Sequence, residues 1–189
     1  PKFSQNTLNA TNDFIYYTED ESEISGLPDM AKAQAAETAM KKEKNSGWMF
    51  TLHMPSYIPV MQFADNRQLR ETLYKARSKV AFGGKYDNQE IVKKTSALRY
   101  EKSQILGFED HAEYTLQKRM AGNKENVMNF LDRLYEVYYP AAKRDLNEMK
   151  KFSQKDGIGD MQGWDVHYYA EKLKKQKFDF DQENLRPYF

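Results

Sequence analysis

The chain has 189 residues, of which 40% are hydrophobic and 30% are charged, and this composition is typical of a folded globular protein rather than a disordered one. Its 29 basic and 28 acidic residues leave a net charge of +1, whereas nucleic-acid-binding proteins usually carry a clear basic excess. The absence of cysteine excludes disulfides, thiolate metal sites and a cysteine nucleophile. No apolar run approaches the length of a membrane span. We therefore expect neither nucleic acid nor a membrane among its partners.

Helical signals dominate the first third of the chain. A helix is predicted to begin after Pro28, because Asp29 then lies in a first turn that favours acidic side chains and strong helix formers fill 31–40. The sequence WMFTLH at 48–53 lies between a glycine and a proline and predicts one short extended segment, paired with a strand from elsewhere. Pro55 and Pro59 then predict a tight turn or a single helical turn.

Helix signals with recognisable ends continue towards the middle of the chain. A helix from about Asn66 has Leu69, Leu73, Ala76 and Val80 on one side, and a Gly-Gly-Lys loop follows it at 83–85. The sequence DNQE at 87–90 resembles a capping box. The helix that it opens is predicted to end near Gly107 and to carry four residues inward, Ile91, Thr95, Leu98 and Ile105.

Two further helical segments are predicted before residue 155. A short helix should occupy 109–120 and end at Gly122, where Asn123 can cap the next one. Apolar residues then step by threes and fours over 123–152, and Pro140 is expected to kink this helix or to divide it into an αα element. The predicted fold class is all-α, with 1–189 as a single helical segment and a possible sub-boundary in the loop at 83–87.

The segment 163–172 predicts a helix with two usable faces. One apolar stripe, formed by Val166, Tyr169, Ala170 and Leu173, is the expected core side. The opposite face carries Trp164, His167, Tyr168 and Glu171, and aromatic side chains mixed with ionisable ones are typical of a cleft wall. The alternative is that this second face packs against another helix, and spacing alone favours that alternative.

Catalytic motifs are missing from the sequence. None of the three histidines belongs to a His-Glu-x-x-His pair, which places two zinc ligands on one helical face. His167 and Glu171 are four residues apart, but a third ligand is not evident. The glycines at 83–84 lack the P-loop spacing, and there is no Gly-x-Ser-x-Gly sequence. The sequence therefore shows no catalytic centre, and we name no catalytic residue and no metal ligand in this chain. A Ser-His-Asp arrangement or a pair of carboxylates brought together by the fold stays open at this point.

Several short sequences, in one fixed order, resemble the thimet oligopeptidase-like zinc metallopeptidases, and among them the bacterial peptidyl-dipeptidases. Each is weak alone, and the strength of the resemblance comes from their common order along nearly the whole chain. They are GLP at 26–28, GWMFTL at 47–52, PSYIPVM at 55–61, NRQLR at 66–70, LR at 98–99, LGFE at 106–109, MA at 120–121, WD at 164–165, YY at 168–169, EK at 171–172 and LRPYF at 185–189.

The resemblance implies a largely helical fold with a deep channel that admits short peptides. It also implies that the one zinc ion of the intact enzyme, its ligands and the catalytic glutamate lie in a missing C-terminal catalytic half. The chain would then be an inactive middle fragment whose residues Trp164, His167, Tyr168 and Glu171 line the channel. The intact enzyme would release dipeptides from the C-termini of short peptides. We expect a cytoplasmic location, with a periplasmic or secreted one left open because the chain begins at Pro1.

Other interpretations stay open at this point. The loop at 82–87 is shorter than expected for the dipeptidase branch, which leaves the oligopeptidase branch as a possibility. A stand-alone helical module that binds a partner helix or peptide through its aromatic face is the main alternative to a peptidase fragment. A fragment should expose a large apolar patch and could dimerise through it, whereas a nucleic-acid binder is disfavoured by the balanced charge.

Overall fold

Helices form most of the computed structural model, which describes residues 2–178. This confirms the predicted all-α class, and no helix in the described part is both long and apolar enough to cross a membrane. In chain order the elements are α1 (Lys2–Asp13), β1 (Tyr16–Thr18), α2 (Asp29–Lys41), β2 (Trp48–Phe50), α3 (Met54–Phe63), α4 (Arg67–Ser78), α5 (Gln89–Ile105), α6 (His111–Leu116), α7 (Lys124–Lys155) and α8 (Val166–Phe178). Single 3₁₀ turns lie at Glu21–Ile24, Gly84–Tyr86 and Gly163–Asp165.

The predicted extended segment is a short strand. β2 pairs antiparallel with β1, and Tyr17 lies opposite Met49. The strand ends at Phe50, so it is shorter than the predicted 48–53, although Leu52 beyond it is buried. Its partner comes from this same chain, from a segment in which the sequence analysis had identified no strand.

The chain divides into two compact units. The first comprises 1–81 and 148–189, and the second comprises 82–147. The core of the first unit contains Leu69 and Leu73, which lie four apart on one side of α4, as predicted. The other buried core residues come from the first 3₁₀ turn and its neighbour, α2, β2, α3 and the residue after α3: Ile24, Leu27, Ala35, Phe50, Val60 and Ala64. The predicted single segment with a sub-boundary at 83–87 stays a prediction.

One expectation based on proline was wrong, and a second was wrong in part. The region between Pro55 and Pro59 is part of the ten-residue helix α3 rather than a tight turn or a single helical turn, because Pro55 lies in the first turn, where its missing N–H has no helical partner to bond. α7 continues through Pro140, so the predicted division into an αα element was wrong, while the alternative of a kink at Pro140 stays a prediction. The residues before Pro140 are exposed, so water can hydrate the carbonyl group that the proline leaves free.

The second unit contains α5, α6 and most of α7. α5 begins after Asn88 and ends at Ile105, close to the predicted ends, but Asp87 accepts the N–H of Gln89 in place of a capping box. The predicted inward side of α5 was wrong in part, since Leu98 and Ile105 are 52% and 78% exposed. Periodicity identifies residues that share a face, but it does not show what covers that face. α6 is also shorter than the predicted helix over 109–120.

Candidate functional site

A fully buried carboxylate lies at the start of α8. Asp165 accepts hydrogen bonds from Arg67 (Nε at 3.1 Å, Nη2 at 2.8 Å), from Arg70 (Nη2 at 2.9 Å) and from the backbone N–H of Gln162 (3.0 Å). Burial acts to raise the pKa of Asp165, but the hydrogen bonds from Arg67, Gln162 and Arg70 outweigh burial and hold the pKa below its usual value. Arg67, Arg70 and Asp165 are called the ion cluster below.

Arg70 is the buried cation of the ion cluster, with a side chain that is 2% exposed. Its other N–H groups donate to backbone oxygens of Ala64 (2.6 Å), Asp65 (3.2 Å) and Trp164 (3.3 Å). The guanidinium group also lies 4.0 Å from the centre of the Tyr168 ring, a cation–π distance. Arg70 therefore links the end of α3 to the start of α8.

The local sequence explains why both arginines point at one acid. Asn66 caps α4, because its side chain accepts the N–H groups of Gln68 and Leu69. Arg67 and Arg70 are three residues apart, so they lie on the same side of the helix that this cap begins.

Two of the four predicted channel residues pack inside the first unit. Tyr168 is buried and donates its hydroxyl to Asp65 Oδ1 at 2.8 Å, and burial, followed by this hydrogen bond, raises the pKa of Tyr168. The Trp164 ring meets Tyr74 edge to face at 6.0 Å and lies 5.2 Å from Lys75 Nζ. Both side chains therefore contact α4 or the residues beside it, which is the packing arrangement that the sequence analysis gave as the alternative.

The other two predicted residues differ in exposure. His167 is exposed, and Glu171 is half-buried and pairs with Lys174 at 3.4 Å. On the predicted core stripe, Tyr169 is buried while Ala170 is exposed. The structure thus places Trp164 and Tyr168 against the ion cluster and leaves His167 on the outer side of α8.

No sequence motif predicted the ion cluster. One signal was available: two arginines occur three residues apart in the NRQLR sequence, beside the buried Leu69. The acid that pairs with them is 98 residues from Arg67 and 95 from Arg70, too far along the chain for a spacing argument.

A zinc site can be tested directly on the residues present. Within 2–178, no group of three or more histidine, aspartate or glutamate side chains is placed to hold a metal ion. His167 and Glu171 therefore gain no third ligand from the fold. The described part of the chain does not fit a zinc centre, and we assign no catalytic step to it.

Comparisons with known proteins identify relatives over the full chain. Residues 60–189 match the model of Peptidase family M3. Oligopeptidase A of Escherichia coli is 38% identical over 194 residues, organellar oligopeptidase A of Arabidopsis thaliana 38% over 197, and dipeptidyl carboxypeptidase of Escherichia coli 26% over 190. Each alignment covers 100% of this chain but only 28%, 25% and 28% of the respective relative.

The chain thus spans about a quarter of the length of these curated relatives. They include members of both branches that the sequence analysis left open, and the resemblance to the thimet oligopeptidase-like peptidases is confirmed. On the match over 60–189, the chain belongs to Peptidase family M3.

Proposed function

We propose that the chain is part of a zinc metallopeptidase that hydrolyses short peptides, and that it supplies part of the wall of the substrate channel. The observation that carries this proposal is the family match over 60–189, together with peptidase relatives that align with the whole chain. A zinc ion in such an enzyme supplies Lewis-acid chemistry. Because residues 2–178 do not fit a zinc site, we propose that the metal and the catalytic groups lie outside this chain, which is then inactive alone.

The ion cluster gives the proposed wall its rigidity. It fixes α8 on α4 through charge-assisted hydrogen bonds, with Tyr168 and Trp164 packed beside it. In this proposal Trp164 and Tyr168 support the wall, while His167 and Glu171 contact the peptide. A surface held in one geometry can orient a flexible substrate at a lower entropic cost than a mobile surface.

Two modes of cleavage are compatible with the family. The 38% identity to oligopeptidase A supports cleavage within oligopeptides, whereas the release of C-terminal dipeptides is supported by the 26% identity to dipeptidyl carboxypeptidase. Mass spectrometry of the first products formed from one peptide separates the two modes. A C-terminal dipeptide as the first product indicates dipeptide release, whereas first products cut at bonds further from the C-terminus indicate internal cleavage.

The activity itself is tested with the intact enzyme and with the isolated chain in parallel. We expect the intact enzyme to hydrolyse a quenched fluorescent peptide, to lose this activity with a chelator and to regain it with zinc. We expect the isolated chain not to hydrolyse this peptide, with or without added zinc, and to retain no stoichiometric zinc after dialysis. An intact enzyme without peptidase activity, or an isolated chain that holds one zinc ion, would contradict the proposal.

His167 gives the clearest test of the channel wall. Replacing Trp164 or Tyr168 would disturb packing, whereas His167 is exposed, and its replacement by alanine should change stability little. We expect His167→Ala to raise KM for short peptides and to leave kcat nearly unchanged. Gln176→Ala is the matched control, because this exposed residue lies nine positions along α8, on the opposite side of the helix. Equal kinetics of both variants would remove His167 from the wall.

A stand-alone interaction module is the second candidate. A groove of about 300 Å³ lies between the end of α7 and α8, and its lining includes Phe152 and Leu173, where an apolar partner side chain could bind. Sequencing the source gene beyond the codon for Phe189 separates the candidates. A downstream His-Glu-x-x-His motif supports the peptidase, and a frame without this motif supports the module.

A cytoplasmic location is also proposed and can be tested by cell fractionation.

A further inference from the structure

The two arginines of the ion cluster differ in exposure. The Arg70 side chain is 2% exposed and that of Arg67 is 38% exposed, while Asp165 is fully buried. One buried arginine is enough to balance the charge of one carboxylate, and Arg70 also donates to three backbone oxygens, those of Ala64, Asp65 and Trp164. The presence of Arg67 therefore needs a separate explanation.

The contacts of Arg67 are concentrated on the segment 160–165, which leads directly into α8. Its Nε lies 3.1 Å from each carboxylate oxygen of Asp165. Its Nη2 donates to Asp165 at 2.8 Å and to the backbone oxygen of Asp160 at 3.1 Å. The guanidinium group also lies 5.7 Å from the centre of the Trp164 ring. Arg67 thus binds both ends of this segment, and its Nε and Nη2 together make a forked contact with the Asp165 carboxylate that the single nitrogen of a lysine ammonium group cannot reproduce.

We infer that Arg67 is a positioning residue for the proposed channel wall. Acting through Asp165 and the backbone of Asp160, it sets the orientation of the first turn of α8 and therefore of His167. This inference rests on the proposed function, because it concerns the geometry of the wall on which the peptide binds. When Arg67 is replaced, Arg70 still pairs with Asp165, so the fold is retained while 160–165 loses a restraint.

The intact enzyme carrying Arg67→Lys tests the inference, with Arg77→Lys as the matched control. Arg77 lies on the same helix, and it contacts Leu52 O at 2.7 Å and the Tyr57 ring. The measurements are kcat and KM on a short peptide, together with hydrogen exchange over 160–170. For Arg67→Lys we expect KM to rise about tenfold, kcat to stay within about twofold and exchange over 160–170 to accelerate. For Arg77→Lys we expect none of these changes.

The outcomes separate this inference from the proposed function. A wild-type enzyme without peptidase activity overturns the proposed function, and hydrogen exchange then still shows whether Arg67 restrains the segment. An active wild type whose Arg67→Lys variant keeps a normal KM, or keeps normal exchange over 160–170, overturns the inference alone. The inference is also overturned if Arg67→Lys fails to fold, or if Arg67→Lys and Arg77→Lys both lose kcat, because Arg67 would then be a general stabiliser.

Discussion

Replacing Arg70 by methionine removes the most buried cation of the ion cluster while keeping an unbranched apolar stem. Asp165 would retain Arg67 as its partner. The backbone oxygen of Ala64, now 2.6 Å from Arg70 Nη1, would lose this donor, and so would that of Trp164. The loss therefore combines a weakened buried ion pair with the loss of a donor to each of two backbone oxygens.

The magnitude follows from burial. Removing one partner of a buried ion pair costs about 3–5 kcal/mol, and an unsatisfied buried acceptor costs about 1–3 kcal/mol. Because Arg67 remains beside Asp165, we expect Arg70→Met to lower the free energy of unfolding by about 3–4 kcal/mol, which is the lower part of the range for a broken buried ion pair. Arg67→Met should cost about 1–2 kcal/mol, since Arg67 is 38% exposed and Asp165 keeps its buried partner.

Urea unfolding of the chain, followed by circular dichroism at pH 7 and pH 3, measures both losses. The folded-state pKa of Asp165 is lowered, so its contribution to stability is present above the unfolded value of about 3.9 and is lost as pH falls through the folded value. The difference in the free energy of unfolding between wild type and Arg70→Met should therefore be smaller at pH 3 than at pH 7. An Arg70→Met variant that loses no more stability than Arg67→Met, or a difference of equal size at both pH values, would refute this reasoning.

Three further predictions concern the core, one tight turn and alkaline pH. Leu73→Ala should cost about 2–5 kcal/mol in urea unfolding and Leu98→Ala less than about 0.5 kcal/mol, because the first side chain is 0% and the second 52% exposed; similar losses would contradict the core assignment. Gly26→Ala should lower Tm more than Gly107→Ala. The backbone angle φ is positive at both residues, +82° at Gly26 and +80° at Gly107, but only at Gly26 would the new Cβ also lie 2.3 Å from a backbone oxygen. Burial, followed by a carboxylate hydrogen bond, raises the pKa of Tyr16 to about 12. The protonated hydroxyl of Tyr16 therefore stabilises the fold fully below the unfolded pKa of about 10, and this contribution is lost as pH rises towards 12. In Tyr16→Phe, the free energy of unfolding should change less over this interval than it does in wild type.

Helix ends with local signals could be predicted closely from the sequence. α2 begins at Asp29, directly after Pro28, and α4 begins directly after its cap Asn66. Such signals work because a capping residue acts on backbone groups two or three positions away. The predictions of a turn at Pro55–Pro59 and of a division at Pro140 failed for the opposite reason. The cost of Pro59 or Pro140 within a helix depends on what surrounds the freed carbonyl group, and this is set by the rest of the fold.

Burial of a helix face was harder to predict than its composition. The mixed face around Tyr168 was identified from spacing, but spacing could not show that Tyr168 would be buried beside Arg70 while His167 stayed outside. On α5 the same limitation appears in reverse, since Leu98 is exposed although its spacing is typical of an inner side. Periodicity is a property of one helix, whereas burial depends on a second surface.

The ion cluster shows why the surface that covers a helix face must also fix the rotation of that helix. Apolar side chains of similar volume at Arg70 and Asp165 could give equal or greater stability, because burying these two charged groups costs desolvation energy. Apolar contacts, however, depend weakly on angle, whereas each N–H of the two arginines has one favourable direction. Contacts between residues that are 95 and 98 positions apart then fix α8 in a single rotation about its axis. A channel wall needs this single rotation, because turning α8 by one residue would replace His167 with a different side chain at the same surface.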